Sequence, residues 1–344
     1  MHVDWNWIKQ RPHFIAEGLA ESGHDVDVFY PIARNRSVMT RNGVNNAKLS
    51  LKPYYRLPYK LRNFKLLSGV SDLATKFQLP SKNYDCIIVT YPEQVHCIPQ
   101  GFTGKIIYDC MDDHSEFENV DKEALIYDEA LLCDKADRIV VSSENLGAKM
   151  TKRKLDLSEK ILTIRNGLSS SLKIEDICES KPFNNKIAYL GTISEWIDFD
   201  VILLALEDNP KISIDFIGPA TVNTPVHERL NFLGSVNHDD LPSIMSDYGC
   251  YIMPFKVNNL IESVDPVKLY EYIYFGGLVI SCYYKEVDRF SEYVSFYNKR
   301  ESLTDIIKNI SDFNVPDKKS RSDFLNSNTW ANRVASLSKV ISEL

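Results

Sequence analysis

The chain has 344 residues, 44% hydrophobic and 25% charged, with 40 Lys and Arg against 47 Asp and Glu for a formal net charge of −7. That length suits two domains with separate cores, and the acidic balance argues against a nucleic-acid binder, which carries a basic excess. The seven cysteines are odd in number and lack a Cys-x-x-Cys, so they read as reduced core residues of a cytosolic protein. No apolar stretch approaches the ~18 residues of a membrane span, and Met1-His-Val-Asp-Trp5 is not a signal peptide.

Short strand-like runs alternate with helical patterns along the whole chain, which predicts parallel sheets covered by helices. In the first half strands are expected at Asp25–Tyr30, Asp85–Thr90, Lys105–Cys110, Arg138–Ser142 and Ile161–Ile164, with helices at Pro12–Glu21, Lys122–Lys135 and Glu144–Lys154. In the second half strands are expected at Ile187–Gly191, Ser213–Ile217, Tyr251–Pro254 and Leu278–Ser281, with helices near Phe199–Leu206, Asp240–Ser246 and Pro266–Phe275. The sequence turns polar and irregular between Asn166-Gly167 and Lys186. The fold class expected is therefore α/β, two Rossmann-like domains facing across a cleft: residues 1–168, then 183–325. A terminal helix within 326–344 (Val334, Leu337, Val340, Ile341) is expected to return to the first domain. Only Met1-His-Val precedes the loop Trp5–Phe14, where a first, central strand belongs. Either the recorded start is late or the first domain lacks an inner strand.

The segment Ser263–Ser281 carries the most chemistry. Asp265 is a helix-capping residue, Pro266 suits a first helical position, and Gly276-Gly277 stops the helix about ten residues on. Apolar strands flank it, making a βαβ unit whose helix N-terminus opens where parallel α/β folds bind ligands. Lys268 and Glu271 are three apart and share a helix face. The helix dipole with Lys268 can hold a diphosphate, and Glu271 can accept two ribose hydroxyls. A solvated i,i+3 ion pair on an ordinary crossover helix is the competing reading.

The string Pro266-x-Lys268-x-x-Glu271-Tyr272, then Gly276 and an apolar strand, resembles the donor-site signature of GT-B glycosyltransferases. More narrowly the chain resembles the bacterial polysaccharide branch that includes the teichuronic-acid enzymes. Four further segments match that branch in order: Trp5–Phe14, Ile107–Asp113, Ala188–Asp198, and Phe232-Leu-Gly-Ser-Val236 with its following Asp-Leu-Pro. The resemblance implies transfer of a sugar from a nucleotide-diphosphate donor to a polysaccharide or lipid-linked acceptor in cell-surface glycan synthesis. It also implies a donor site at Glu271, Lys268 and Pro266, with backbone contacts from Gly191, Thr192, Gly218, Gly234 and Val236. Relatives carry an Arg and a Lys in the loop that here reads Thr192-Ile-Ser-Glu-Trp196, and both are missing. Backbone N–H groups at Gly191-Thr192 and the single Lys268 would then meet the phosphates. A second Glu found in relatives eight places before the first falls here on Ser263, with Glu262 one place out of register. Trp196 either faces the nucleotide or covers a helix.

Asp109, Asp112 and Asp113 cluster at the end of the strand Lys105–Cys110, and a carboxylate there can deprotonate an acceptor hydroxyl. Asp112 is the first choice, because it matches the place of a cleft-facing acid or histidine in the resembling enzymes. In the competing reading Asp113 caps the next helix and Asp109 bonds the backbone. His114 is a weaker candidate. Arg11, just before Pro12, is expected to face the cleft and touch phosphate or acceptor. Tyr54–Leu67 interleaves aromatics with Arg56, Lys60, Arg62 and Lys65, suiting an anionic membrane on the inner face of the cell or else a solvated basic helix.

The strings Asp25-Val-Asp27 and Asp198-Phe-Asp200 belong to a strand and a helix start, and no His/Cys cluster has ligand spacing, so no metal is expected. No cofactor is expected beyond the nucleotide sugar as co-substrate. A dehydrogenase is disfavoured by the lack of any Gly-x-Gly-x-x-Gly. A GT-B-shaped sugar-nucleotide epimerase and a non-catalytic sugar-nucleotide-binding protein are the alternatives.

Overall fold

The computed structural model describes residues 1–32, 46–55, 84–118, 120–153, 155–236 and 240–344. Its helices and strands run α1 (Arg11–Glu21), β1 (Val26–Pro31), β2 (Leu49–Tyr54), β3 (Cys86–Val89), β4 (Lys105–Cys110), α2 (Lys122–Lys135), β5 (Arg138–Val141), α3 (Glu144–Arg153) and β6 (Ile161–Thr163). Then follow β7 (Lys186–Leu190), α4 (Phe199–Asp208), β8 (Ser213–Ile217), β9 (Leu230–Gly234), α5 (Leu241–Met245) and β10 (Cys250–Met253). The remainder is α6 (Val267–Phe275), β11 (Leu278–Cys282), β12 (Ser295–Tyr297), α7 (Arg300–Lys308), α8 (Lys318–Asn326) and α9 (Trp330–Glu343). The chain divides into two compact units, 1–165 with 330–344, and 166–329.

In the first unit β1 pairs in parallel with β2, and β3, β4, β5 and β6 form a four-stranded parallel sheet in that order. Helix α9 belongs here because Trp330, Val334, Leu337 and Val340 recur at three- and four-residue spacing, one buried stripe. That stripe packs with Ile15 and Leu19 of α1 and with Ile107 and Val140 beneath them. The Phe14 and Trp330 rings stack at 4.9 Å.

The second unit is a six-stranded parallel sheet in the order β9-β8-β7-β10-β11-β12. The order reverses direction between β7 and β10, as in a doubly wound sheet, so the chain crosses to opposite sides there and leaves a crevice at the strand ends. Every residue of β10 and β11 is buried. Strands covered on both faces need continuous apolar runs, which explains Cys-Tyr-Ile-Met and Leu-Val-Ile-Ser-Cys. Asp198 caps α4 by accepting from Val201 N at 3.2 Å, so Asp198-Phe-Asp200 is a helix start. Of the basic stretch 54–67, Tyr54 ends β2 and is buried while Tyr55 is exposed; residues 56–67 lie outside the described residues. Among the described residues no helix is long and apolar enough to cross a membrane.

Candidate functional site

Three glycines stand side by side at the ends of β7, β8 and β9. Gly191 (φ +132) donates its N–H to Ile217 O at 2.8 Å, and Gly218 (φ +145) donates to Gly234 O, also at 2.8 Å. A Cβ on Gly218 would collide with the Gly191 carbonyl, so this close approach of two backbones requires glycine. Thr192 follows with its carbonyl accepting from the Tyr189 hydroxyl at 2.8 Å. Val236 lies two residues past β9, half-buried against the core.

Next to this row opens α6. Its N-cap is Pro266, and no side chain caps its first turn. The expected capping role of Asp265 is corrected: the carboxylate is buried and committed elsewhere, accepting from Asn166 N at 2.6 Å and pairing with Arg289. The helix ends as expected, with Gly276 in the left-handed region at φ +79.

Lys268 and Glu271 are both half-buried on this helix. Among the described residues neither side chain has a hydrogen bond or an ion pair, although Lys268 Nζ sits 5.7 Å from the centre of the Tyr189 ring and 5.5 Å from that of Phe255. Burial lowers the Lys268 pKa, with Glu271 opposing, and pushes that of Glu271 up to about 7, with Lys268 opposing. Two partly desolvated charges that no hydrogen bond satisfies are costly unless a ligand completes them. Gly191 makes room for the lysine, because a Cβ there would meet Lys268 Cε and lie 2.9 Å from Nζ. Gly191→Ala is therefore expected to displace Lys268 and weaken anion binding by about 1–3 kcal/mol, the worth of a charge-assisted hydrogen bond. Calorimetric titration with a nucleoside diphosphate checks it, and unchanged affinity would separate Gly191 from the site.

In the first unit the three aspartates at the end of β4 have different fates. Asp109 is fully buried and receives Arg11 Nε at 2.9 and 3.1 Å and the guanidinium NH2 group at 2.7 Å. Arg11 is itself buried, so its charge is used inside the protein. Asp113 is also buried, which raises its pKa. Hydrogen bonds from Ser115 (2.9 Å) and Lys149 (3.1 Å), with the charges of Arg153 and Lys149, outweigh burial and hold it below the usual carboxylate range. It precedes a short 3-10 turn, His114–Glu116, without capping its backbone. Asp112 is half-buried, and among the described residues its carboxyl has no hydrogen-bond or ion-pair partner. Burial raises its pKa to about 7, Arg11 opposing and Asp113 reinforcing.

The ring of His114, two residues on, meets those of His2 and Tyr91, at centroid separations of 5.3 Å (His2–Tyr91), 5.5 Å (His2–His114) and 4.8 Å (Tyr91–His114). Burial drives the His114 pKa down to about 4, Asp113 opposing, so its imidazole is neutral at pH 7, and Nε2 has no partner among the described residues. Sequence reasoning missed His2 and Tyr91, which only tertiary folding brings to Asp112's neighbour. It also missed Tyr189 and Phe255 around Lys268. Trp196 packs partly buried against the second unit's core. Glu262 is exposed and Ser263 fully buried.

No family model matches the chain. It is 25% identical over 201 residues to TuaH of Bacillus subtilis (strain 168), a protein named as a glycosyltransferase of teichuronic acid biosynthesis; the match covers 51% of this chain and about half (50%) of that relative. Among solved structures, HepE of Anabaena in complex with UDP superposes with a TM-score of 0.63 at 13% identity, covering 100% of this chain and 99% of that one. The E. coli trehalose-6-phosphate protein bound with UDP-2-fluoro glucose gives 0.70 at 12% identity, with 100% and 99% coverage. WaaG, a glycosyltransferase involved in lipopolysaccharide biosynthesis, gives 0.61 at 13%, with 95% and 94% coverage. With its two Rossmann-like units, the chain has the GT-B fold of the nucleotide-sugar glycosyltransferases, and its sequence is similar to their teichuronic-acid branch.

Proposed function

We propose that the protein is a glycosyltransferase that moves a sugar from a nucleoside-diphosphate donor to a saccharide of a cell-surface glycan. The observation that carries this reading is the half-buried pair Lys268, in the first turn of α6 against Gly191, and Glu271, one turn on, neither with a hydrogen bond or ion pair among the described residues. A nucleotide sugar supplies what both lack: a diphosphate for Lys268 and the helix dipole, and hydroxyl donors for Glu271. UDP in two of the structural neighbours makes UDP-sugars the first donors to try.

In the reaction the acceptor oxygen attacks the anomeric carbon, Asp112 takes the hydroxyl proton, and the bond from that carbon to the diphosphate oxygen breaks. The leaving diphosphate stays with Lys268 and the N–H groups of the first turn of α6 and of Thr192, since the Gly191 N–H is taken by Ile217 O. A carboxyl with a pKa near 7 is matched to general-base work at neutral pH. Release of nucleoside diphosphate that depends on adding a saccharide acceptor tests the reading. Donor binding with no turnover under any acceptor would leave only a binding protein.

Residues 54–67 extend the proposal to a lipid-linked acceptor at an anionic membrane surface. Neutralising Arg56, Lys60, Arg62 and Lys65 together should release the protein from anionic liposomes, each contributing up to about 1 kcal/mol. The attraction should fade as salt rises, and transfer to a short water-soluble acceptor should be unaffected. Flotation with equal binding of wild type and quadruple variant would make the stretch an ordinary solvated face.

A further inference from the structure

The tip of β4 is held residue by residue, and every hold stops short of one carboxyl. From α1, Arg11 takes the Asp109 carboxylate at 2.7 Å. From just after β5, the fully buried Ser142 donates its N–H to Cys110 O at 3.0 Å and its hydroxyl to Met111 O at 2.7 Å. Asp112 O accepts from His114 N at 3.0 Å. From α3, Lys149 Nζ reaches the Asp113 carboxylate at 3.1 Å, and the Arg153 guanidinium lies 3.5 Å from it. Asp112 is thus fixed through its main chain, while among the described residues its carboxyl makes no hydrogen bond or ion pair.

The two cations of α3 are not spare surface charges. Lys149 and Arg153 are four apart, so both project from one face of the helix. Arg153 also binds Glu129 of α2 at 2.6 Å, and Glu129 accepts from the Tyr108 hydroxyl of β4 at 3.0 Å. These links close a ring through β4, α3 and α2. Around the tip the ionised partners cancel: Arg11, Lys149 and Arg153 against Asp109, Asp113 and Glu129. His114 adds no charge at pH 7. Arg153 serves Glu129 as well, which leaves Lys149 as the cation that balances Asp113. Two adjacent carboxyls share a site cheaply only when one keeps its proton, so the one that cations hold ionised decides the state of the other.

We propose that Lys149 is a positioning residue for sugar transfer, acting through Asp113: it holds a fixed negative charge next to Asp112 and so sets how firmly that carboxyl keeps its proton. The inference rests on Asp112 being the base that takes the acceptor proton. The signs follow from the balance of charges. Lys149→Met leaves one net negative charge at the tip, and Asp112 then binds its proton more tightly. Asp113→Asn leaves one net positive charge, and Asp112 then releases its proton more readily. Burial, which raises the Asp112 pKa, and Arg11, which lowers it, act alike in both variants. A lysine that only braced the fold would lower stability when removed and leave the proton affinity of Asp112 where it was.

The test is the pH dependence of kcat/KM for the acceptor in wild type, Lys149→Met, Lys149→Arg and Asp113→Asn, with nucleotide affinity and melting temperature measured alongside. The midpoint of the acidic limb, near pH 7 in wild type, should rise by about half a pH unit or more in Lys149→Met and fall by about as much in Asp113→Asn. Lys149→Arg should restore the wild-type midpoint. Nucleotide affinity should stay within about twofold throughout, because Lys268 and Glu271 lie in the second unit. The Lys149 side chain is partly exposed, so its variants keep the fold even where Asp113→Asn does not, and their midpoints then decide alone. A midpoint that stays within about 0.2 pH units of wild type in Lys149→Met, whatever the melting temperature, would overturn the inference and leave the base in place. A wild type with no limb near pH 7 would remove the base, and this inference with it.

Discussion

Asp112→Asn should cut sugar transfer by about 10²–10⁴-fold, the usual share of a general base, while leaving nucleotide affinity nearly unchanged. The three aspartates at the tip of β4 differ in one decisive respect. Asp109 and Asp113 are held by cations, whereas the Asp112 carboxyl has no partner among the described residues and a pKa raised to about 7. A base acts deprotonated, so wild-type transfer should climb about tenfold per pH unit below pH 7 and level off above it. That limb should vanish in Asp112→Asn. Full turnover in the variant, with its pH limb intact, would remove Asp112 from the chemistry and favour a retaining mechanism without a protein base.

Asp109→Asn should cost the first unit about 3–5 kcal/mol, because it strands the Arg11 charge in a buried site. The pair ties the start of α1 to the end of β4, and the guanidinium lies 5.9 Å from the Trp330 ring of α9. Replacing both partners with apolar groups, Arg11→Met with Asp109→Leu, should recover most of the loss, since no lone charge remains. Denaturant unfolding of the three proteins reads this directly. If Asp109→Asn instead keeps its stability and loses transfer, Asp109 is the base and the pair is not structural.

Much of the fold is legible in the sequence where burial writes a simple pattern. Strands β4, β8, β10 and β11 are short apolar runs because helices cover both faces, and α6 is bounded by Pro266 and Gly276. Strand β2 escaped notice because Leu-Ser-Leu-Lys-Pro-Tyr is half-exposed and carries Lys52 and Pro53. Helix α8 escaped because its buried residues are only Arg321 and Leu325 in a run of polar ones. The site divides likewise. Lys268 and Glu271 are readable from local spacing, since a helix face is a local property. The separate fates of Asp109, Asp112 and Asp113 are not, because they hang on Arg11, 98 residues from Asp109, and on Lys149, 36 from Asp113. Arg11 looked like a ligand contact for the same reason: its partner is invisible until the chain folds.

Glu271 links the proposed donor site to the stability of the fold. Its pKa is raised to about 7 by burial, so between about pH 4.5 and 7 the unfolded chain releases this proton first and stability falls as pH rises. Glu271→Gln removes that cost, and the variant should melt higher than wild type at pH 8. The decisive measurement is calorimetric titration of wild type and Glu271→Gln with UDP and a UDP-sugar at pH 8. The donor-site account predicts measurable binding to the wild type, weakened by about 1–3 kcal/mol in a variant that is folded and at least as stable. Equal affinity in the two proteins, or no nucleotide binding to either, would contradict it.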